Sequence, residues 1–331
     1  MKSRTVRCAL LVLGPLVGLG LTGCGATTQV NPAAQRTAQG LTKEQALAAV
    51  RAYDQGNNTV NAHLDGPGLT RIEVPPLLTA DRAWMQITDA LHQTVPRMES
   101  KSPVVYIPGG ADPNWFLTVS TRVRGGVPGP QSTYSVYVRS TSTSPWKVAY
   151  SLTPTGDVPD LAVSTNGTAS APGNVSDLLM EPAKLASAIL AHYQRGLQGK
   201  DTFQHSAALD EQLGAGYTLG VKVLRQRDEV LSRALAKDSF KGYSLRTSDG
   251  GALVFSANIV KDSLVPKKSD GIVSLRAGSN DAALLAKPGG ASAKKFLISR
   301  IETFMTYIPK KSSGTGVTVL GYSETAVSIK K

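Results

Sequence analysis

Two cysteines carry the most distinctive chemistry in this 331-residue chain, and both lie near its start. Cys8 opens an almost wholly apolar run that ends at Leu21, and three positive charges precede it within Met1–Arg7. A basic start and a short apolar core are typical of a secretory signal peptide, and the run is too short to cross a bilayer as a helix. Removal of that peptide would leave Cys24 as a lone thiol, so we expect no disulfide in the exported chain.

The residues before Cys24 resemble the lipobox of bacterial lipoproteins, with Leu21, Thr22 and Gly23 in the expected order. The resemblance implies that a diacylglycerol is attached to the Cys24 thiol and that the chain is cut just before it. Residues 1–23 are therefore predicted to be a lipoprotein signal peptide. Two acyl chains, such as palmitate, suffice for stable anchoring. We expect the protein on the extracytoplasmic face of the cell membrane.

Other reactive side chains do not form a recognisable site. The four histidines lack the spacing of zinc ligands; they are His63, His92, His192 and His205. The chain has no Gly-x-Ser-x-Gly elbow, and its Gly-Gly pairs lack the Lys-Ser/Thr of a phosphate loop. Neighbouring carboxylates such as Asp228 and Glu229 point in different directions on a helix. The sequence thus predicts a non-enzymatic protein without metal or cofactor.

The net charge of +12 indicates contact with anionic surfaces, such as lipid head groups or wall polymers. Nucleic acid is not expected as a partner, because the chain is exported and has no binding motif. A cluster on one face would favour an anionic wall polymer; the lysines concerned are Lys241, Lys261, Lys267, Lys268, Lys294 and Lys295. Scattered lysines would instead indicate an ordinary solvated surface.

Composition divides the chain into segments. Residues 24–40 are rich in Ala, Thr, Gln and Asn and are predicted to be a flexible tether. Residues 154–176 are rich in Pro, Ser, Thr and Gly and are predicted to be a linker. Between and beyond them lie two predicted α+β domains, residues 41–153 and 177–331, the second with an insertion around 262–294.

The two predicted domains begin alike. A capping box at Thr42–Gln45 predicts a helix over Thr42–His63, and a similar helix is predicted over Glu181–Leu197. Tyr53 and Tyr193 hold matching places, 140 residues apart. Second helices are predicted over Thr79–Gln93 and Val221–Lys237.

Strands follow the helices in each half. They are predicted at Val104–Ile107, Trp115–Arg122, Thr133–Arg139, Trp146–Leu152, Gly242–Arg246, Ala252–Val260, Ser299–Ile308 and Val317–Tyr322. Aromatic residues match between the halves, with Phe116 corresponding to Phe255, Tyr137 to Tyr307, and Tyr150 to Tyr322. The pattern predicts a tandem duplication of one α+β unit.

A long helix followed by a meander of antiparallel strands resembles the cystatin-like and NTF2-like fold, and Ser144–Tyr150 resembles its turn-Trp-Lys-Val strand. The resemblance implies a long N-terminal helix packed on a curved antiparallel sheet, with the tryptophan against the helix. The cone of that fold can hold a pocket. Its candidate lining residues are Tyr53, Trp84, Trp115 and Tyr193, for which core packing is the favoured interpretation.

The whole chain is also similar to actinobacterial lipoproteins of unknown function, chiefly over Leu245–Phe255 with Asp-Gly-Gly at the tip of a turn. That resemblance implies no activity. Three hypotheses therefore remain: a binding or scaffolding protein of the cell envelope that holds an envelope protein or other ligand, an envelope enzyme that uses a cone pocket, and a basic module for anionic wall polymer.

Overall fold

The computed structural model describes residues 40–110, 113–165, 167–195, 202–285 and 291–331. The predicted signal peptide and most of the tether lie outside the described residues. So do Leu21, Thr22, Gly23 and Cys24, and the lipidation of Cys24 stays a prediction. Residues 38–331 form one compact unit.

Helix α1, Lys43–Ala62, begins at the predicted capping box. Thr42 Oγ1 accepts a hydrogen bond from the Gln45 amide at 3.2 Å, and Gln45 Oε1 accepts one from the Thr42 amide at 3.0 Å. These two bonds satisfy amides that the first helical turn would otherwise leave unpaired. The predicted start of this helix is confirmed, and its buried face carries Ala46, Val50 and Tyr53.

Helix α2, Leu77–Ala90, precedes the first sheet, whose four strands pair antiparallel in chain order. The strands are β1, Met98–Tyr106; β2, Trp115–Arg124; β3, Val127–Val138; and β4, Lys147–Leu152. Phe116 stacks on Tyr137 with ring centroids 4.8 Å apart, and Trp146 meets Phe116 edge-on at the same distance. The same core cluster contains Ala46 and Val50 of α1, and the partly buried Trp146 packs against this cluster.

The second half has helix α3, Leu185–Arg195, and a π-helical stretch, Ala207–Ala215, that runs into α4, Gly216–Gln226. Its strands and short helix are β5, Glu229–Ser239; β6, Tyr243–Arg246; β7, Ala252–Pro266; β8, Val273–Ser274; α5, Asn280–Ala283; β9, Ser292–Ala293; β10, Phe296–Ile308; and β11, Thr318–Lys330. The main sheet has the order β11-β10-β7-β5, and β6 adds to β7. The α+β class with antiparallel sheets is confirmed.

The helix predicted over Val221–Lys237 is wrong in its second part, because α4 ends at Gln226 and the chain turns into β5. Strand β5 pairs with β7 from Glu229↔Pro266 to Leu235↔Val260. The apolar residues in Val230–Leu235 fit both the period of a helix and that of a strand over so short a stretch. The partner strand supplies the backbone hydrogen bonds and therefore decides between them.

The described part of residues 154–176 runs between the sheets and bonds to both. Thr155 donates its amide to Leu320 O at 2.8 Å, and Ala169 donates its amide to Ile107 O at 2.8 Å. One core cluster also combines Tyr150 of β4 with Phe255 of β7. The two halves share hydrophobic core, whereas their division into the predicted domains stays a prediction.

Candidate functional site

A polar cavity of about 300 Å³ lies among α1, α2, β1 and β2, with β4 and the edge strand β11 at one side. Cavities that hold small molecules begin at roughly this size, about 300 Å³. We refer to it as the α1–α2 cavity. It is of interest because its lining contains buried polar groups from distant parts of the chain.

Helix α1 contributes Tyr53, Asn57 and Asn61 to the lining. Residues four apart lie on one face of a helix, so the three side chains form a row. They are only 4%, 2% and 8% exposed, respectively. Asn57 and Asn61 therefore occupy buried positions of a helix face that otherwise carries Tyr53 and apolar residues.

Two carboxyl groups meet beside this row. Glu73 lies just before α2, is 1% exposed, and accepts a hydrogen bond from Tyr53 Oη at 3.1 Å. An isolated bridge to Val148 of β4 fixes its backbone. Asp81, in the second turn of α2, lines the cavity and is near enough to Glu73 for each group to change the pKa of the other.

Burial raises the pKa of Glu73 to about 9, and the charge of Asp81 adds to that shift. Burial also raises the pKa of Asp81, to about 6. Removing two carboxylates from water disfavours their charged forms, and a like charge nearby disfavours the second ionisation further. At neutral pH we therefore expect the pair to hold one proton.

Glu73→Gln should make stability less dependent on pH. Because the folded-state pKa of Glu73 is raised above 4.5, its contribution is fully present below pH 4.5 and is lost as pH rises through about 9. Gln keeps an oxygen for the Tyr53 hydroxyl and cannot ionise. We expect equal unfolding free energies at pH 4.5 and an advantage on the order of 4 kcal/mol for the variant at pH 8.

Urea denaturation at several pH values measures this difference. Glu99→Gln is the matched control, since Glu99 lies on β1 with its side chain 65% exposed. If the difference in unfolding free energy between Glu73→Gln and the parent chain is the same at pH 4.5 and pH 8, the raised pKa of Glu73 is contradicted.

Arg122 of β2 lies on the other side of the cavity and has no ion-pair partner among the described residues. Its Nη1 is 3.9 Å from Met98 Sδ, while its Nε and Nη2 are buried without a hydrogen-bond partner. Asn57 Nδ2 is likewise buried and unpartnered within the described structure. Buried polar groups without partners are costly and rare in native proteins.

Of the four pocket residues considered from sequence, the structure brings two to this cavity. Tyr53 lies in its floor, and Trp84 of α2 lines it with 39% of its surface exposed. Trp115 instead packs on Tyr243, with ring centroids 5.2 Å apart, in the core between the sheets. Tyr193 belongs to the second half.

Tyr193 joins a buried ionic network on the second sheet. Its hydroxyl donates to Glu302 Oε1 at 2.9 Å. Arg233 of β5 binds Asp262 of β7 with two hydrogen bonds of 2.6 and 2.8 Å, and its Nη1 reaches Glu302 at 3.1 Å and Glu324 at 2.9 Å. The Arg233 side chain is 6% exposed.

Arg300 of β10 completes this network. Its Nε donates to Asp262 at 2.9 Å and its Nη2 to Asp281 at 2.6 Å. Burial raises the pKa of Glu302 to about 6, although the positive charge of Arg233 lowers it. A second cavity, of about 470 Å³, lies beside the network. Both arginines here are paired with carboxylates, which distinguishes them from Arg122.

The histidines occupy other places. His192 is buried on α3, with its Nε2 3.9 Å from Asp210, and His205 Nδ1 lies 3.1 Å from the same carboxylate. Within the described ranges, no three His, Cys, Asp or Glu side chains are grouped as metal ligands would be.

Sequence reasoning missed Asn57, Glu73, Asp81 and Arg122. Asn57 could have been found from the sequence, because it occupies a position where the helical spacing of α1 predicts a buried apolar residue. The other three gave none, because they come from a loop, a helix and a strand that only the fold brings together.

These features define an α+β protein with antiparallel sheets and a polar cavity at its helices. The chain belongs to the family described as Domain of unknown function (DUF8094), whose model matches residues 37–331. It is 26% identical over 272 residues to an uncharacterized lipoprotein of Streptomyces coelicolor, with 76% of each chain covered. No solved structure matches it. Among the described helices, none is both long and apolar enough to cross a bilayer.

Proposed function

We propose that this protein is an extracytoplasmic lipoprotein, anchored through Cys24, that binds a small polar ligand in the α1–α2 cavity. The lipobox residues Leu21–Cys24 support the anchor, and so does the name of the Streptomyces relative. The ligand site rests on one observation: the buried, unpartnered donors of Asn57 and Arg122 on the lining of a cavity.

The chemistry of the cavity indicates a class of ligand. The unpaired guanidinium of Arg122 suits a carboxylate or phosphate group, which it can bind through two parallel hydrogen bonds. Asn57 and the Glu73–Asp81 pair suit hydroxyl groups, which both donate and accept. The exposed part of Trp84 offers a flat apolar surface for a ring. A small hydroxylated anion with a ring, such as a sugar acid or sugar phosphate, would match the guanidinium, the hydroxyl-binding groups and the flat surface of Trp84.

Arg122→Met should weaken ligand binding strongly and change the stability of the ligand-free protein little. Met preserves much of the aliphatic packing and removes buried donors that lack hydrogen-bond partners. It also removes a positive charge that lowers the pKa of Asp81, so we expect the unfolding free energy to change by less than about 1 kcal/mol. Loss of a charged hydrogen-bond partner should weaken binding of an anion about 10- to 100-fold. Isothermal titration with D-glucuronate, D-glucose 6-phosphate and neutral D-glucose measures the second effect.

Arg97→Met provides the matched control, because Arg97 is exposed and lies outside the cavity lining. The two anionic probes separate a carboxylate site from a phosphate site, and D-glucose reports what the hydroxyl groups contribute alone. The proposal fails if neither anion binds and Arg122→Met lowers stability, since Arg122 would then be a structural residue.

Acid–base catalysis is the second candidate function, and the raised pKa values of Glu73 and Asp81 favour it. A protonated Glu73 beside an ionised Asp81 supplies both an acid and a base at one cavity. Prolonged incubation of a bound probe with the protein, followed by NMR of the probe, separates the candidates. An unchanged probe favours binding alone, whereas conversion that disappears in Asp81→Asn favours an enzyme.

We also propose that the halves are tandem cystatin/NTF2-like units. Each has two helices followed by four antiparallel strands, β1-β2-β3-β4 in the first half and β5-β7-β10-β11 in the second. The matched aromatic residues fall on corresponding strands, for example Tyr150 on β4 and Tyr322 on β11. In this arrangement β6 and the β8–α5–β9 segment are additions to the second unit.

A further inference from the structure

Six lysines meet at one end of the second sheet. Lys267 and Lys268 directly follow β7, and Lys294 and Lys295 directly precede β10. Those ends are adjacent, since Phe296 pairs with Leu264. Lys330 ends β11 opposite Leu297, and Lys331 follows it. We refer to this group as the lysine end; it comprises Lys267, Lys268, Lys294, Lys295, Lys330 and Lys331.

The lysine end is exposed and strongly positive. All six side chains are exposed, and none forms an ion pair within the described structure. The nearby acidic residues are Asp228, whose carbonyl accepts from the Lys267 amide, and Asp270 in the turn after β7. Of the other two lysines considered from sequence, Lys261 lies further along β7 and Lys241 lies before β6.

Apolar side chains are exposed among these charges. Ile272 is 63% exposed beside β8, whose Val273 pairs with Ala293 next to Lys294. Leu297 is 43% exposed directly opposite Lys330. Lysines around exposed large aliphatic residues are the pattern of surfaces that lie in the head-group region of a membrane. A soluble polyanion would gain nothing from Ile272.

We propose that the lysine end binds the anionic phospholipid surface of the membrane. The lysines pair with lipid phosphates while Ile272 and Leu297 enter the boundary between head groups and acyl chains. This contact goes beyond the proposed ligand site and uses none of its residues. With the predicted anchor it would hold the folded part of the chain in one orientation at the membrane.

Vesicle co-sedimentation tests the proposal on residues 24–331 carrying Cys24→Ser, which contain the whole compact unit of residues 38–331. Vesicles of phosphatidylglycerol and phosphatidylcholine are compared with pure phosphatidylcholine. Each lysine near an anionic surface contributes roughly fivefold to partitioning. The double variant Lys294→Gln/Lys295→Gln should therefore reduce binding about 25-fold.

Lys43→Gln/Lys101→Gln is the matched control, because it removes the same charge from exposed positions on α1 and β1. It should change binding less than threefold. Ile272→Ser should weaken binding several-fold in a way that salt does not alter, since the apolar contribution is not screened.

Several results would overturn the proposal. They are binding that does not depend on phosphatidylglycerol, equal losses in the two double variants, or an Ile272→Ser variant that binds as well as the parent chain. Tighter binding to soluble poly(glycerol phosphate) than to vesicles would assign the lysine end to a wall polymer instead.

Discussion

Arg233→Met is expected to lower the free energy of unfolding by about 3–5 kcal/mol. The arginine holds Asp262, Glu302 and Glu324 in hydrogen bonds of 2.6 to 3.1 Å, and its side chain is 6% exposed. Its loss leaves buried carboxylates with fewer partners in a medium of low dielectric. Urea denaturation of the variant at pH 8 measures the effect.

The unfolding free energy lost in Arg233→Met should be smaller at pH 5 than at pH 8. Burial already raises the pKa of Glu302 to about 6. Without Arg233 that pKa rises further, so low pH can neutralise the carboxyl group. Adding Glu302→Gln to the variant should restore part of the stability at pH 8 for the same reason.

Arg225→Met is the control for this experiment, since Arg225 is exposed near the end of α4. It should change stability by less than about 0.5 kcal/mol. A loss below 1 kcal/mol in Arg233→Met would show that the network does not stabilise the second sheet. That outcome would make Arg233 and its cavity a candidate ligand site.

Cys24→Ala is expected to abolish lipid attachment completely. The thioether needs the Cys24 sulfur, and no other cysteine remains after cleavage before residue 24. Metabolic labelling with an alkyne analogue of palmitate, followed by gel fluorescence, should show a labelled parent chain and an unlabelled variant.

Cys8→Ala is the matched control, because Cys8 lies in the predicted signal peptide and should not affect labelling. Fractionation adds an independent readout. A chain that is exported by a non-lipoprotein signal peptide in place of residues 1–23 and carries Cys24→Ala should leave the membrane pellet in high salt, which also weakens any contact through the lysine end. Label retained in Cys24→Ala would refute the anchor.

The two polar clusters have different physical roles. In the second half, the arginines Arg233 and Arg300 are paired with carboxylates on neighbouring strands, which suits a rigid support. In the first half, Arg122 and Asn57 keep unpartnered donors beside a cavity. Proteins often retain such unfavourable groups at functional sites, where a ligand satisfies them. The cavity of the first half is therefore the better candidate for ligand binding.

Local signals in the sequence determined the elements that depend on neighbouring residues. The Thr42–Gln45 capping box set the start of α1, and its apolar period placed Tyr53 inward. Alternating apolar residues and turn signals located β2, β3, β4, β6, β7, β10 and β11, but only the last three residues of β1. These features follow from contacts within a few residues, so composition and spacing carry them. The α+β class followed from the order of such elements.

Tertiary structure alone decided which distant residues meet. Residues around Val230 became β5 because β7 was available to pair with them. Asp81 and Arg122 line one cavity, with Glu73 beside Asp81, only because α2 and β2 pack on α1. Burial there raises the pKa of the two carboxyl groups. Burial and long-range pairing depend on the whole fold, whereas the predicted lipidation of Cys24 depends on four consecutive residues.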